Sequence, residues 1–123
     1  MSVLTILCID DEELGLEIRK MVLEREGYLV LTAQDGAGGL SIFESQRVDA
    51  VILDYAMPGL DGGQVAAIMR QRKPEIPILM LTAYVTLPDS VMRLVDISAT
   101  KGDGALGLID RLREMLAARS KAS

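Results

Sequence analysis

Short apolar runs alternate with amphipathic stretches along the chain. The runs are rich in Val, Ile and Leu and cover residues 3–9, 28–33, 50–53 and 76–81, with a weaker fifth run at 96–100. Because the first four are apolar throughout and not only at every second position, they are typical of strands buried on both faces of a parallel sheet. Consecutive parallel strands need a crossover connection, which is usually a helix. The alternation therefore predicts repeated strand–helix units.

Five stretches have the three- and four-residue spacing of amphipathic helices. They cover residues 14–25, 36–47, 63–72, 86–95 and 104–119. In the first, the stripe that we expect to be buried consists of Leu14, Ile18, Met21 and Val22 and fades into charge at Arg25. Gly27 follows this helix at a point where a left-handed residue often ends a helix. The fourth stretch opens with Thr86 and has Asp89 three residues later, which is typical of a capping box.

Five strand–helix units predict an α/β fold with a doubly wound parallel sheet, helices on both faces and a short fourth helix. The chain has 123 residues, of which 50% are hydrophobic, and this suits one domain over residues 1–123. It contains one cysteine, Cys8, and no histidine. A disulfide framework, a cysteine-rich zinc site and Ser-His-Asp catalysis within the chain are therefore excluded.

Net charge and hydropathy argue against two further classes of function, nucleic-acid binding and membrane insertion. The net charge of −5 argues against direct nucleic-acid binding. No apolar run approaches the roughly 20 residues of a membrane-spanning helix, and the first residues lack the pattern of a signal peptide. We therefore expect a soluble protein of the cytoplasm that binds neither nucleic acid nor a membrane.

Polar residues directly follow four of the predicted strands. Asp10 and Asp11 follow the first strand, and the third, fourth and fifth are followed by Asp54, Thr82 and Lys101. The ligand site of a doubly wound sheet lies at the carboxyl ends of the strands, so these side chains should meet at one edge. Clustered carboxylates repel one another unless a cation neutralises them, and Mg²⁺ prefers oxygen ligands. With a lysine and a hydroxyl beside them, they predict a Mg²⁺-dependent site at which a phosphoryl group is transferred to a carboxylate.

Not every acidic residue near the first strand needs a chemical role. Glu12 and Glu13 fall in the predicted first turn of a helix, where negative charge interacts favourably with the helix dipole, and we assign them that role. Asp54 has no comparable explanation, because it ends an apolar run and precedes a segment rich in turn-forming residues. Asp54 is therefore harder to explain as a structural residue alone.

These residues resemble the receiver domain of two-component response regulators over nearly the whole chain. The resemblance is carried by Asp10-Asp11, by residues 54–62 (Asp-Tyr-Ala-Met-Pro-Gly-Leu-Asp-Gly), by Thr82-Ala83 and by Lys101. The string Asp-x-x-Met-Pro-x-x-Asp-Gly at this position is highly specific, whereas any one of the other elements alone is weak. The resemblance implies a flavodoxin-like sheet with strand order 2-1-3-4-5, in which strands 1 and 3 are neighbours.

The resemblance also implies a role for each reactive residue. Asp54 is the expected phosphoacceptor, which takes a phosphoryl group from a partner's phosphohistidine and forms an acyl phosphate. Lys101 is expected to pair with Asp54 and then with the phosphoryl group, to which Thr82 donates a hydrogen bond. Such a domain is not an enzyme with an external substrate; it catalyses only its own phosphorylation. Slow self-dephosphorylation is expected, since Ala56 offers no side-chain group to hold an attacking water and Tyr84 covers the acyl phosphate.

The metal ion implied by the resemblance is Mg²⁺. Its expected ligands are Asp11, Asp54 and the backbone carbonyl of Ala56, while Asp10 supports the ion through water. The expected upstream partner is a sensor histidine kinase or a phosphotransfer protein. Downstream, we expect a separate protein target or a fused output domain, and a second copy of the chain is a further candidate partner.

Three departures from the family pattern bear on how the signal leaves the domain. Lys101 is followed by Gly102 where the family usually has proline, so a trans or mobile peptide bond is expected. Ser98 stands where the family has an aromatic residue that moves between exposed and buried positions. Only 18 residues separate Thr82 from Lys101, which shortens the fourth helix by nearly one turn. Ser98 and Gly102 are compatible with an alternative, a pseudo-receiver that binds partners without being phosphorylated. The intact set of reactive residues argues against this alternative: Asp10, Asp11, Asp54, Thr82 and Lys101.

Overall fold

The structure, a computed structural model, describes residues 3–83 and 86–122. Within these ranges the chain forms five strands: β1 (Thr5–Ile9), β2 (Leu29–Ala33), β3 (Ala50–Asp54), β4 (Ile78–Thr82) and β5 (Ile97–Thr100). The helices are α1 (Glu13–Arg25), α2 (Gly36–Ser45), α3 (Gly62–Arg72), α4 (Asp89–Met92) and α5 (Gly104–Ala122). None of these helices is both long enough and apolar enough to cross a membrane. Tyr84, to which the sequence assigns a shielding role, lies outside the described residues.

All five strands are parallel and form one sheet in the order β2-β1-β3-β4-β5. β1 lies between β2 and β3, so its last residue, Ile9, pairs with Leu53 of β3. At the other end of the order, Thr82 of β4 pairs with Thr100 of β5. The carboxyl ends of the strands therefore share one edge. The predicted fold, strand order and short fourth helix are confirmed.

Apolar side chains of the central strands alternate between two hydrophobic cores. In β1, Ile6 and Cys8 face the core covered by α1 and α5, while Leu7 and Ile9 face the core covered by α2 and α3. The short α4 adds Val91 to the second core. Burial raises the pKa of Cys8 to about 12, so its thiol stays protonated and serves as a small apolar core group.

The buried face of α1 differs from the prediction. Leu16 and Leu23 are the buried residues of this helix, whereas Leu14, Ile18 and Met21 have 71%, 46% and 49% of their surface exposed. α1 carries two apolar stripes with the same spacing, and the spacing alone does not decide which one faces the sheet. Leu14, Ile18 and Met21 therefore remain on the surface, whereas Val22 of the predicted stripe is partly buried against the core covered by α1 and α5.

The fourth helix is shorter than its sequence pattern. The pattern predicts residues 86–95, but α4 is a single turn at Asp89–Met92. The capping box predicted at Thr86 is wrong, because the N-cap residue is Pro88, which makes no side-chain hydrogen bond to the helix. Proline has a fixed φ that suits the start of a helix, so the turn begins only after it.

Two other helix ends follow simple rules. Gly27 comes after α1 with a φ of 95°, as predicted, a conformation that L side chains rarely adopt. Asp35 caps α2, because its side chain accepts a 2.6 Å hydrogen bond from the backbone N–H of Gly38.

Candidate functional site

Three carboxylates meet at the carboxyl edge of the sheet. Asp10 directly follows β1 and Asp54 ends β3, and because these strands are neighbours the two side chains lie close together. Asp11 follows at the surface. Carboxylate oxygens of the three residues all lie within 4.8 Å of one another. Asp10 and Asp54 are buried, with 1% and 2% of their surface exposed, whereas Asp11 is exposed.

Lys101 reaches this cluster from the end of β5. Its Nζ lies 3.1 Å from Oδ1 of Asp54 and 3.3 Å from Oδ2 of Asp10. It also lies 3.3 Å from Oε1 of Glu12. One ammonium group therefore contacts three carboxylates from two different segments of the chain.

The backbone beyond Lys101 directs the lysine into the site. Residues Lys101–Asp103 form a 3₁₀ turn, and Gly104, with a φ of 71°, then leads the chain into α5. The peptide bond between Lys101 and Gly102 is trans, like every other peptide bond of the described residues. The lysine thus reaches the carboxylates without the proline that the family usually has.

Asp54 holds a proton more tightly than an ordinary aspartic acid. Burial and the negative charge of Asp10 raise the pKa of Asp54 from 3.8 to about 6, against the opposing effect of Lys101. Its Oδ1 contacts the lysine, while Oδ2 is buried and has no hydrogen-bond partner within the described part of the chain. A buried carboxylate oxygen without a partner is costly, so Oδ2 is available to a cation or donor from outside the chain.

Asp10 is shifted in the opposite direction. Burial acts to raise its pKa, but the backbone N–H of Glu12, 2.9 Å from Oδ1, and the charges of Arg19 and Lys101 outweigh burial and hold the pKa below 3.8. Arg19 forms an ion pair with Oδ2. Conversely, burial acts to lower the pKa of Lys101, but contact with Asp54 and Asp10 holds it above 10.5. Asp10 and Lys101 are therefore both charged at neutral pH.

Two further predicted residues flank the cluster. Thr82 ends β4, the strand next to β3, and is buried with 3% of its surface exposed. Ala56 lies two residues beyond Asp54, exposed in the loop between β3 and α3. Thr82 therefore lies on the strand next to the one that ends in Asp54. Ala56 lies in the loop that directly follows Asp54.

Hydrogen bonds at the start of α3 fix the loop that follows Asp54. The side chain of Asp61 accepts from the backbone N–H of Gln64, and the side chain of Gln64 accepts from the backbone N–H of Asp61, each at 2.9 Å. The N–H of Gly62 donates to the carbonyl oxygen of Tyr55 at 2.8 Å. The reciprocal cap fixes the end of the loop at α3, and the bond between Gly62 and Tyr55 ties that end back to the residue after Asp54.

The sequence pattern does not single out two residues that the structure places in the site. From the sequence, Glu12 is assigned only a favourable interaction with the helix dipole, yet its carboxylate contacts Lys101. Arg19 has no assigned role there, yet its guanidinium pairs with Asp10. A signal for Arg19 exists, because it lies three residues after Leu16 and four before Leu23, on the stripe that faces the sheet.

The oxygen donors suit a small divalent cation. Mg²⁺ in proteins usually binds one or two carboxylates and keeps several waters. Three carboxylates with oxygens within 4.8 Å of one another, including the unpartnered Oδ2 of Asp54, meet this requirement. An ammonium group 3.1 Å from the same carboxylate adds a second positive charge for an incoming anion. The arrangement therefore suits a phosphoryl group placed beside a carboxylate.

Comparison with known proteins identifies related sequences. The family model of the response regulator receiver domain matches residues 6–102. The alkaline phosphatase synthesis transcriptional regulatory protein PhoP of Bacillus subtilis is 44% identical over 89 residues, which are 72% of this chain and 37% of PhoP. The probable transcriptional regulatory protein TcrX of Mycobacterium tuberculosis is 34% identical over 115 residues, which are 91% of this chain and 49% of TcrX. The chain thus spans less than half the length of each of these curated relatives.

Solved structures share the fold. A CheY-like response regulator receiver domain protein of Methanospirillum hungatei matches with a TM-score of 0.92 and 26% identity, over 99% of this chain and 100% of that chain. The response regulator TrrA of Thermotoga maritima, solved in complex with Mg²⁺-BeF, matches with a TM-score of 0.87 and 34% identity, over 92% and 99%. A structure of the histidine kinase ThkA in complex with TrrA matches with a TM-score of 0.85 and 35% identity, over 93% and 99%.

Proposed function

The chain belongs to the response regulator receiver domain family, and from this premise we propose that it accepts a phosphoryl group on Asp54 and changes conformation in response. It is a receiver domain of two-component signalling, and residues 1–123 act as one such domain in this proposal. The donor is a phosphohistidine on a sensor histidine kinase or a phosphotransfer protein. Asp54, Lys101 and Thr82 carry the reaction.

The state of the Asp54 carboxylate is the observation that carries the proposal. One oxygen is held by Lys101 at 3.1 Å, and the other is buried without a partner in the described residues. A carboxylate with a purely structural role would have both oxygens hydrogen-bonded. Here one oxygen is already oriented while the second remains free to react or to bind a cation.

The proposed transfer step is a displacement at phosphorus. An oxygen of the Asp54 carboxylate attacks the phosphorus and forms a P–O bond, while the P–N bond of the phosphohistidine breaks and the imidazole nitrogen keeps the electron pair. The pKa of Asp54 is raised to about 6, so most of the carboxylate is ionised and nucleophilic at pH 7. The Lys101 ammonium stabilises the added phosphoryl oxygens, and the Thr82 hydroxyl donates a hydrogen bond to one of them.

Mg²⁺ is the proposed cofactor of this site. Asp11, Asp54 and the backbone carbonyl of Ala56 would hold it, with Asp10 supporting it through water. When bound, the ion supplies positive charge that offsets the repulsion between the carboxylates and an incoming phosphoryl group. The TrrA complex with Mg²⁺-BeF, at 34% identity, supports this assignment.

The exposed stripe of α1 is the proposed docking surface for the phosphodonor protein. Leu14 and Ile18 are exposed on α1, and Leu106 is 78% exposed at the start of α5. Ile18 lines the same cavity as Lys101 and Ala105, so this apolar surface adjoins the site. Large exposed apolar residues beside a reactive group are typical of a protein interface. The complex of TrrA with the histidine kinase ThkA supports a kinase as the partner.

Output is proposed to reach either a fused domain or a separate protein target, with a second copy of this chain as a further candidate. The curated relatives named as transcriptional regulators are more than twice as long as the aligned region, which supports a fused output domain. Ser98 has no ring to move, and its carbonyl accepts hydrogen bonds of 3.2 and 2.9 Å from Arg111. The proposal includes a cytoplasmic location, slow self-dephosphorylation, no external substrate, and no contact of this chain with nucleic acid or membrane.

Intact-protein mass spectrometry tests the proposal. The native chain and Asp54→Ala are each incubated with a small phosphodonor, with and without Mg²⁺. We expect the native chain to gain one phosphoryl group only when Mg²⁺ is present, and Asp54→Ala to gain none. No gain by a native chain that binds Mg²⁺ would overturn the proposal and favour the pseudo-receiver. A gain by both proteins would move the acceptor away from Asp54.

Replacing Lys101 with glutamine is expected to slow phosphorylation by at least about tenfold. The substitution removes a charge-assisted contact at 3.1 Å, and such contacts are worth about 1.5–3 kcal/mol. The rate of phosphoryl gain from a small donor at saturating Mg²⁺ measures the effect. Lys20→Gln on the exposed face of α1 makes the same charge change away from the site and should leave the rate unchanged. Equal rates for Lys101→Gln and the native chain would contradict the assigned role.

A further inference from the structure

Arg19 forms an ion pair that the proposed phosphotransfer does not require. Its guanidinium contacts Oδ2 of Asp10, the oxygen that also lies 3.3 Å from Nζ of Lys101. The side chain of Arg19 is 14% exposed and that of Asp10 is 2% exposed, so the pair is largely shielded from water. A carboxylate assigned to support a metal ion therefore already has a permanent cation of the chain against it.

The guanidinium of Arg19 packs over Gly15 of α1. Gly15 lies one helical turn before Arg19, and a Cβ at Gly15 would lie 3.4 Å from a terminal nitrogen of the guanidinium and 3.8 Å from its central carbon. The guanidinium therefore lies across the backbone of Gly15. Glycine within a helix costs about 1 kcal/mol relative to alanine. At 3.4–3.8 Å a Cβ would make only ordinary van der Waals contact with the guanidinium, so the ion pair with Asp10 does not depend on the glycine.

Arg19 acts on Asp10 rather than on Asp54. Among the charged side chains of the described residues, Arg19 and Lys101 lower the pKa of Asp10, whereas the charges that shift the pKa of Asp54 are those of Asp10 and Lys101. The ion pairs of the described residues divide in the same way, since Arg19 contacts Oδ2 of Asp10 whereas Asp54 contacts Lys101. Arg19 therefore neutralises the carboxylate that would support a divalent cation through water.

We propose that Arg19 competes with the divalent cation for Asp10, so that its guanidinium neutralises the metal-free site and sets the affinity for Mg²⁺. This inference rests on the proposed function, because it needs a metal ion at the carboxylate cluster. A cavity of about 180 Å³ between α1 and α5, lined by Gly15, Ile18 and Arg19 itself, gives the side chain space when it leaves Asp10. Arg19 is thus a positioning residue that holds Asp10 in place until the ion arrives.

Calorimetric titration of the full chain with MgCl₂ tests this inference. We expect Arg19→Gln to lower the Kd for Mg²⁺ by about tenfold, because the water through which the ion contacts Asp10 no longer has to displace a charge-assisted hydrogen bond. Arg19→Lys keeps the charge and is expected to stay closer to the native Kd than to that of Arg19→Gln. Arg25→Gln changes the net charge equally from an exposed position in the last turn of α1, and its Kd should change by less than about twofold.

A second readout separates this role from simple loss of structure. A ligand that binds the folded state raises the free energy of unfolding according to its affinity. Arg19→Gln should therefore gain more stability than the native chain from the same Mg²⁺ concentration, even if it is less stable without the ion. An unchanged or higher Kd for Arg19→Gln, with Mg²⁺ binding by the native chain, would overturn the competition alone. Binding by neither protein would overturn the proposed metal-dependent function as well.

Discussion

Replacing Asp54 with asparagine is expected to abolish phosphorylation and to make the metal-free protein more stable. The carboxylate is buried, lies beside Asp10, and leaves Oδ2 without a partner in the described residues. Asparagine keeps the shape of the side chain without its charge. With the pKa of Asp54 raised from 3.8 to about 6, and about 1.4 kcal/mol for each pKa unit, ionisation costs the folded state about 3 kcal/mol at pH 8. We therefore expect Asp54→Asn to raise the free energy of unfolding at pH 8 by about 2–3 kcal/mol relative to the native chain.

The sign of the pH dependence follows from the same shift. Between about pH 4 and pH 6 the folded protein keeps a proton on Asp54 that the unfolded chain has lost. The free energy of unfolding of the native chain therefore decreases as the pH rises through this window. Asp10 has a lowered pKa, so its contribution is lost only as the pH falls below about 3.8. The pKa of Lys101 is raised, so its contribution to stability changes only above pH 10.5. Neither group therefore alters the pH dependence between pH 4 and pH 6.

Urea unfolding of both proteins at pH 4, 6 and 8, without divalent cations, measures the effect. The difference in free energy of unfolding between Asp54→Asn and the native chain should be largest at pH 8 and close to zero at pH 4. Asp61→Asn provides the matched control, because Asp61 is a loop aspartate that caps α3 outside the carboxylate cluster. A native chain at least as stable as Asp54→Asn at pH 8 would contradict this account of the site.

The site could be predicted from the sequence because its geometry depends on few choices. Once the apolar runs are assigned to parallel strands, the residues that follow them must lie at one edge of the sheet. Asp10 and Asp54 come together because β1 and β3 are neighbours, and Lys101 reaches them because β5 ends at the same edge. The resemblance to receiver domains, and not the apolar runs, implies that β1 and β3 are neighbours, and no detail of side-chain packing is needed beyond that order.

The face that α1 presents to the sheet could not be predicted in the same way. Two stripes of α1 have suitable spacing, and the one through Leu16 and Leu23 is buried while the one through Leu14 is exposed. Which stripe is buried depends on the rotation of the helix against the sheet, a tertiary property. The contact of Arg19 with Asp10 could not be predicted for the same reason, because Arg19 lies on the buried stripe.

Glycine positions are a second feature that the pattern alone does not explain. Glycines at the start of α2 are unfavourable by helix propensity. In the structure a Cβ at Gly39 would lie 2.3 Å from Cδ1 of Ile9, and a Cβ at Gly36 would lie 2.8 Å from Cγ2 of Val65. These glycines let α2 approach β1 and α3 closely, and the distances that require them are set only by the assembled fold.

Gly62 is the glycine whose substitution should have the largest effect. A Cβ there would lie 2.6 Å from the carbonyl oxygen of Asp54, 2.7 Å from Cα of Tyr55 and 2.9 Å from Sδ of Met80. Two of these atoms belong to the backbone and cannot rotate away. We expect Gly62→Ala to lower the free energy of unfolding by about 3 kcal/mol, the upper range for overpacking, and to weaken Mg²⁺ binding by displacing the loop after Asp54.

The adjacent residue supplies the control for Gly62. A Cβ at Gly63 would lie 3.1 Å from Cγ2 of Val91 and 3.3 Å from Oδ1 of Asp61, both side-chain atoms that can move by a few tenths of an ångström. Gly63→Ala should therefore change the free energy of unfolding by no more than about 1 kcal/mol, since the gain in helix propensity offsets the tight contact. Urea unfolding and Mg²⁺ titration of the two variants measure both effects. Equal stability of Gly62→Ala and Gly63→Ala would mean that α3 does not lie against the strand end carrying Asp54.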